Sequence, residues 1–150
     1  MNTYDSVIAA KYLLALAFNK GVILNTTKVQ KMLFIAYGYF LAKHNHVLLT
    51  EEPRAWPYGP VFPRTRSKVD YGKLIELDSP ELKEIASDSK VKEVFTMIVD
   101  KYSSYTATQL SEWSHMQGSP WELTVRQPDF NWNQPIPDAF IQRYFTTLNV

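Results

Sequence analysis

TKVQKMLFIAYGYFLAKH, residues 27–44, is the stretch that decides the fold. Val29, Met32, Leu33, Ala36 and Phe40 recur at the three-and-four spacing of a buried helical stripe. Thr27 with Gln30 three positions later reads as a capping box, which predicts a helix from there to about His44. Gly38 stands inside that helix, where glycine costs about 1 kcal/mol relative to alanine; a close crossing by another element is the expected reason for it.

Toward the N-terminus, Tyr4, Val7, Ile8, Tyr12, Ala15 and Phe18 crowd one face of a helix expected from Tyr4 to about Lys20, and Gly21 stands where a left-handed cap belongs. Beyond His44, Val47 to Leu49 could form a short strand. A short helix is expected past Pro63 through Lys68 and Tyr71. Leu74, Ile75 and Leu77 hint at another strand, and Glu81 to Ala86 at a helical turn. Val91, Val94, Phe95, Ile98 and Tyr102 mark an amphipathic helix from Ser89 to Tyr102. Thr106 and Gln109 make a further capping box, opening a helix that carries Leu110 and Trp113 until Gly118 and Pro120 end it. Phe140, Ile141, Tyr144 and Leu148 form a last helix with Pro137 near its first turn. The expected fold class is mainly α: six helical segments and at most two or three short strands, in a single compact helical domain with a small β element.

Composition narrows the function. With 150 residues and 45% hydrophobic content, the chain suffices for one core. Sixteen basic against fifteen acidic residues leave a net charge of +1, too weak a field to favour a polyanion. Cysteine is absent, which excludes disulfides, thiolate metal sites and cysteine nucleophiles. Asp5 and Lys11 interrupt the N-terminal apolar run with no basic leader before it, and no apolar run reaches the roughly 18 residues of a membrane span; a cytoplasmic, soluble protein is expected.

AWPYGPVFPRTR, residues 55–66, is the unusual segment. Pro57, Gly59, Pro60 and Pro63 leave no place for a helix or a central strand, yet Trp56, Tyr58 and Phe62 lie among them. Arg54, Arg64, Arg66 and Lys68 flank them. Three readings stand: aromatics filling the core beside the 27–44 helix, a protein-contact surface of hot-spot composition, or a grip on single-stranded nucleic acid. The nucleic-acid reading is the weakest, given the net charge.

Chemistry elsewhere is sparse. His44, His46 and His115 lack metal-ligand spacing, and no glycine-rich nucleotide loop is present, so neither metal nor cofactor is expected. Ser114 and His115 suggest a nucleophile and its base, but neighbours on a helix diverge by about 100° and are not expected to face one another. No G-x-S-x-G elbow accompanies them. A small hydrolase around Ser114 and His115 is the rival reading, while His115 is expected to hold a neighbouring backbone carbonyl.

Three blocks together resemble a known family: Lys28-Val29-Gln30-Lys31-Met32-Leu33-Phe34-Ile35-Ala36-Tyr37-Gly38, then Ala55-Trp56-Pro57-Tyr58-Gly59-Pro60-Val61, then Leu110-Ser111 through His115 to Ser119-Pro120-Trp121. Their order and spacing are similar to those of the Panacea domain, the SocA-like antitoxin family that includes phage-associated GepA-type proteins. The chain departs from the family pattern at Ser103, where glycine is usual, and at Ser114, where threonine is.

The resemblance implies a mainly helical fold and a non-enzymatic antitoxin of a toxin–antitoxin system. Its partner would be a cognate protein toxin neutralised by direct binding, with delivery to a cytoplasmic protease in the founding type. Gln30, Lys31, Gly38, Trp56, Tyr58, Gly59, Pro60, Trp113, His115, Pro120 and Trp121 are the motif positions, expected to be structural. Arg54, Trp56, Tyr58, Phe62, Arg64 and Arg66 are the expected partner-binding surface.

Overall fold

The computed structural model of the protein describes residues 1–73 and 75–148. Chain order opens with α1 (Ser6–Asn19) and α2 (Thr26–His44), and α2 is wrapped on every side: each residue from Val29 to Leu41 is buried. The helix expected to show one apolar stripe is thus the axle of the domain, and this encloses even Gln30 and Lys31. Its cap also differs from expectation. Asn25, not Thr27, accepts the Lys28 N–H at 2.9 Å, and Gln30, freed from any capping box, reaches a distant loop instead.

Helix α1 begins two residues later than expected because Asp5 caps it, accepting the Val7 N–H at 2.8 Å. Tyr4 lies outside the helix and pairs with the Leu48–Thr50 segment, its N–H on Leu48 O and its carbonyl accepting from Thr50 N. The strand expected at Val47–Leu49 is reduced to this single parallel bridge at Leu49. At the other end Gly21, at φ 84°, completes a Schellman cap, with Gly21 N–H on Phe18 O and Val22 N–H on Ala17 O.

The proline-rich segment is an antiparallel hairpin, which was not expected there. β1 (Arg54–Trp56) pairs with β2 (Gly59–Val61) in the register Arg54↔Val61, Ala55↔Pro60, Trp56↔Gly59. Pro60 has no N–H to offer, but its partner Ala55 needs none. Ala55 turns its own N–H to Gln134 O and its carbonyl to Asn133 N–H on the opposite side.

The rest is helical: α3 (Pro63–Lys68), a 3₁₀ turn at Pro80–Leu82 running into α4 (Lys83–Ala86), α5 (Ser89–Tyr102), α6 (Ala107–Ser114), α7 (Pro120–Val125) and α8 (Asp138–Leu148). Eight α-helices stand among the described residues where six were expected. Helix α5 has the expected limits, and Thr106 with Gln109 forms its capping box at α6. Pro120, expected to stop a helix, starts one: it sits in the first turn of α7, where a missing N–H is harmless, behind Ser119 as cap. Ile75 and Leu77 are not in a strand, and Leu74 lies outside the described residues.

Gly38 marks the crossing of α2 and α8. A Cβ built on it would lie 2.1 Å from the Phe145 ring, which also packs edge-on against Phe34 and Tyr39. Gly38→Ala should therefore lower unfolding free energy by about 1–3 kcal/mol in denaturant titration, the clash outweighing alanine's gain in helix propensity of about 1 kcal/mol. An unchanged or raised midpoint would show that the helices can separate at no cost.

Candidate functional site

The hairpin is held by its carbonyls. Trp121 Nε1–H donates to Trp56 O at 2.8 Å, His115 Nε2 lies 3.1 Å from Pro57 O, and the Lys31 ammonium donates to Tyr58 O at 2.7 Å and Pro60 O at 3.3 Å. Just beyond, the Gln30 amide grips Phe62 at both ends, accepting its N–H at 2.8 Å and donating to its carbonyl at 3.4 Å. Side chains from α2, the end of α6 and α7 thus meet on one short loop.

Only glycine fits at the centre of that grip. Gly59 has φ 112°, and a Cβ there would come within 2.7 Å of Lys31 Nζ and 2.8 Å of Ser114 Oγ. Lys31 is 3% exposed, and burial pushes its pKa down to about 8. The ammonium form still prevails at neutral pH, where the two carbonyls offset part of its lost hydration.

The expected contact residues separate into distinct groups. Tyr58 is 70% exposed at the hairpin tip. Trp56 is half-buried, with its indole N–H on Asn133 Oδ1 at 2.9 Å and the Arg66 guanidinium 5.5 Å above its ring. Arg54 donates to Asn133 O at 2.9 Å and lies 3.9 Å from Glu52. Arg64 pairs with Asp5 at 2.9 Å, and its backbone N–H donates to Glu51 at 2.8 Å; the guanidinium holds the Asp5 carboxyl below the usual carboxylate range. Phe62 corrects the expectation. It is fully buried against Tyr37, its backbone pinned by Gln30, and has no surface to offer a partner.

Ser114 and His115 also differ from the sequence reading. Their side chains do approach, Ser114 Oγ lying 3.3 Å from His115 Nδ1. His115 is the C-cap of α6, so its ring folds back until Nδ1 is 2.6 Å from Ser111 O. Ser114 donates its hydroxyl to the same carbonyl at 2.8 Å and is 2% exposed, covered by the hairpin; the imidazole has a backbone carbonyl beside each ring nitrogen and lies tilted against Trp121, ring centroids 4.1 Å apart. His115 reaches the loop while Ser114, its hydroxyl turned to its own helix, lies buried beneath it. His44 and His46 pack on Phe40, and no cluster of three or more His, Asp or Glu able to hold a metal occurs among the described residues. Trp113 lies away from the hairpin, against Tyr144 and Phe145. Asn133, at φ 77°, is the anchor that sequence reading missed; only its turn-rich surroundings hinted at it.

A cavity of about 510 Å³ opens between the first turn of α2 and the outer side of the hairpin, with Lys31, Trp56, Tyr58 and Arg66 in its lining. No helix among the described residues is long and apolar enough to cross a membrane.

The domain is mainly helical, and two buried polar side chains of its central helix, Gln30 and Lys31, hold one short aromatic loop at its surface. Residues 29–122 match the SocA-like antitoxin, Panacea domain family model, and the chain belongs to that family. It is similar to Antitoxin SocA of Caulobacter vibrioides, 26% identical over 138 residues that cover 85% of this chain and 73% of the relative. No solved structure matches it.

Two outcomes follow from the clamp. The folded protein holds the Lys31 proton less tightly than the unfolded chain, so this residue's contribution to stability is least below pH 8 and grows as pH rises from about 8 toward the ordinary lysine value of about 10.4. Buried tyrosines such as Tyr4, raised to about 12, act in the opposite direction only above pH 10. The unfolding free energy of the wild type minus that of Lys31→Met should therefore climb between pH 8 and 9.5, by up to about 1.4 kcal/mol per pH unit. A flat difference would mean that the ammonium is well hydrated. Trp121→Ala, which removes one carbonyl donor and the ring contact with His115, should cost about 1–3 kcal/mol by thermal or urea unfolding.

Proposed function

We propose that the chain is the antitoxin of a toxin–antitoxin pair, acting in the cytoplasm by binding its cognate protein toxin directly through the face around the hairpin. Family membership supports the class, and the observation that carries the surface is the clamped hairpin itself. Its tip exposes Tyr58 beside an Arg66–Trp56 stack, the residue types that dominate protein interfaces, on a backbone that needs no ordering when a partner arrives. The same face would serve an adaptor that hands the toxin to a cytoplasmic protease. Loss of toxin protein, as against loss of its activity alone, distinguishes delivery from occlusion.

The rival readings have less support. Ser114 is buried with its hydroxyl on Ser111 O of its own helix, and His115 Nε2 lies against Pro57 O of the loop. Of the four cations considered for nucleic acid, Arg54 and Arg64 lie beside carboxylates, which leaves Arg66 and Lys68.

The test is co-expression of the adjacent open reading frame with and without this chain. Growth should stop with the neighbour alone and resume with the wild-type chain. Tyr58→Ala combined with Arg66→Glu should abolish the rescue while moving Tm by no more than about 2 °C, because both side chains lie outside the core. Arg64→Glu is a poorer probe, since it sets a carboxylate against Asp5 and Glu51 and should lower Tm as well. A harmless neighbour, or full rescue by the double variant, would defeat the reading.

A further inference from the structure

The cavity beside the hairpin carries an unbalanced charge. Its lining includes two cations, Lys31 and Arg66, and no carboxylate. Neither cation has an acidic partner among the described residues, whereas Arg54 and Arg64 nearby each have one. Lys31 spends two ammonium donors on Tyr58 O and Pro60 O and keeps a third. Arg66 rests over Trp56, which orients its guanidinium without neutralising it. The hydroxyl residues Thr26 and Thr27 bring the first turn of α2, the positive end of a 19-residue helix, to the same cavity. Lys31, which has given up hydration without an opposite charge, gains most from an anion that enters beside it, and the exposed Arg66 guanidinium adds a second positive charge.

We propose that this cavity receives an aspartate or glutamate side chain from the partner protein, its carboxylate meeting Arg66 and Lys31 while the neighbouring residue of the partner stacks on Tyr58. This rests on the hairpin face being the surface that meets the partner. The volume suits one or two residues, at the small end of ligand sites. A polyanion fits less well. Nucleic acid is held by rows of exposed cations, and this chain has a net charge of +1 and sets Glu52 and Asp5 beside the flanking arginines. The aromatic walls supply what a peptide side chain needs and a bare phosphate does not.

The probe is acetyl-Glu-Tyr-amide, titrated into the ¹⁵N-labelled full chain and followed by amide chemical shifts. Shifts should concentrate at Thr26, Thr27, Gly59, Arg66 and Ser111. Acetyl-Gln-Tyr-amide should bind about tenfold more weakly, and Arg66→Gln, whose spectrum otherwise shows an intact fold, should weaken the Glu peptide to a similar degree. Inorganic phosphate and octathymidylate form the competing arms. Equal binding of the two peptides, shifts away from the cavity, no shifts at millimolar peptide, or tighter binding of phosphate or oligonucleotide would each overturn the proposal. Because no toxin enters this experiment, the two readings fail separately. Peptide binding with a harmless neighbour removes the antitoxin role and keeps the cavity, while rescue by the wild type without peptide binding removes only the cavity's ligand.

Discussion

A buried ammonium under a glycine governs the architecture. Lys31 comes from the second turn of the most enclosed helix, where an unpaired charge would cost several kcal/mol. The carbonyls that receive it belong to a loop that can approach only because Gly59 has no side chain. Each half requires the other. The hairpin has no hydrophobic reason to project a glycine at α2, and α2 has no reason to bury a lysine, except that together they close. Gln30, one residue earlier, repeats the arrangement at Phe62, so two adjacent polar residues on the core helix fix where the hairpin starts back toward α3.

What could be read from sequence divides along the same line. Elements whose limits are set by local periodicity and capping were legible: Ser89–Tyr102 has a full apolar stripe, Gly21 the left-handed cap, and Thr106–Gln109 the reciprocal bonds of a capping box. The remainder depended on long-range partners that no local pattern encodes. Thr27 looked like a cap because Gln30 followed it, yet Gln30 serves Phe62 and Asn25 caps the helix. Pro57 and Pro60 argued against a strand on the assumption of a sheet with neighbours on both sides. The missing donor is harmless because Ala55 bonds to residues 133 and 134 instead. Pro120 signals a break and a start equally well, and only Ser119 behind it settles which.

At the site itself, residue types were legible and their division of labour was not. Trp56, Tyr58 and Phe62 are three aromatics in seven residues, and sequence gives no means of sorting them. Structure separates them by depth: Phe62 in the core, Trp56 at the boundary with its indole N–H tied to Asn133, Tyr58 outside. The arginines sort by partner, Arg64 to the N-cap carboxylate of α1, Arg54 to the 133 turn, Arg66 to an aromatic face. Ser114 and His115 show the same difficulty from the other side. Helical geometry argued that they could not meet, but α6 ends between them, and the freed ring returns to the helix it has just left.

This arrangement separates what holds the loop from what the loop shows. Trp121, His115 and Lys31 all engage hairpin carbonyls, and a carbonyl oxygen is the same whatever side chain its residue bears. The grip therefore requires glycine at position 59 but places no condition on the exposed side chain at 58. A scaffold organised in this way can change the chemistry of its exposed face without disturbing the bonds that keep it rigid. Preorganisation, which lowers the ordering cost of association, is thus preserved across surfaces suited to unlike partners.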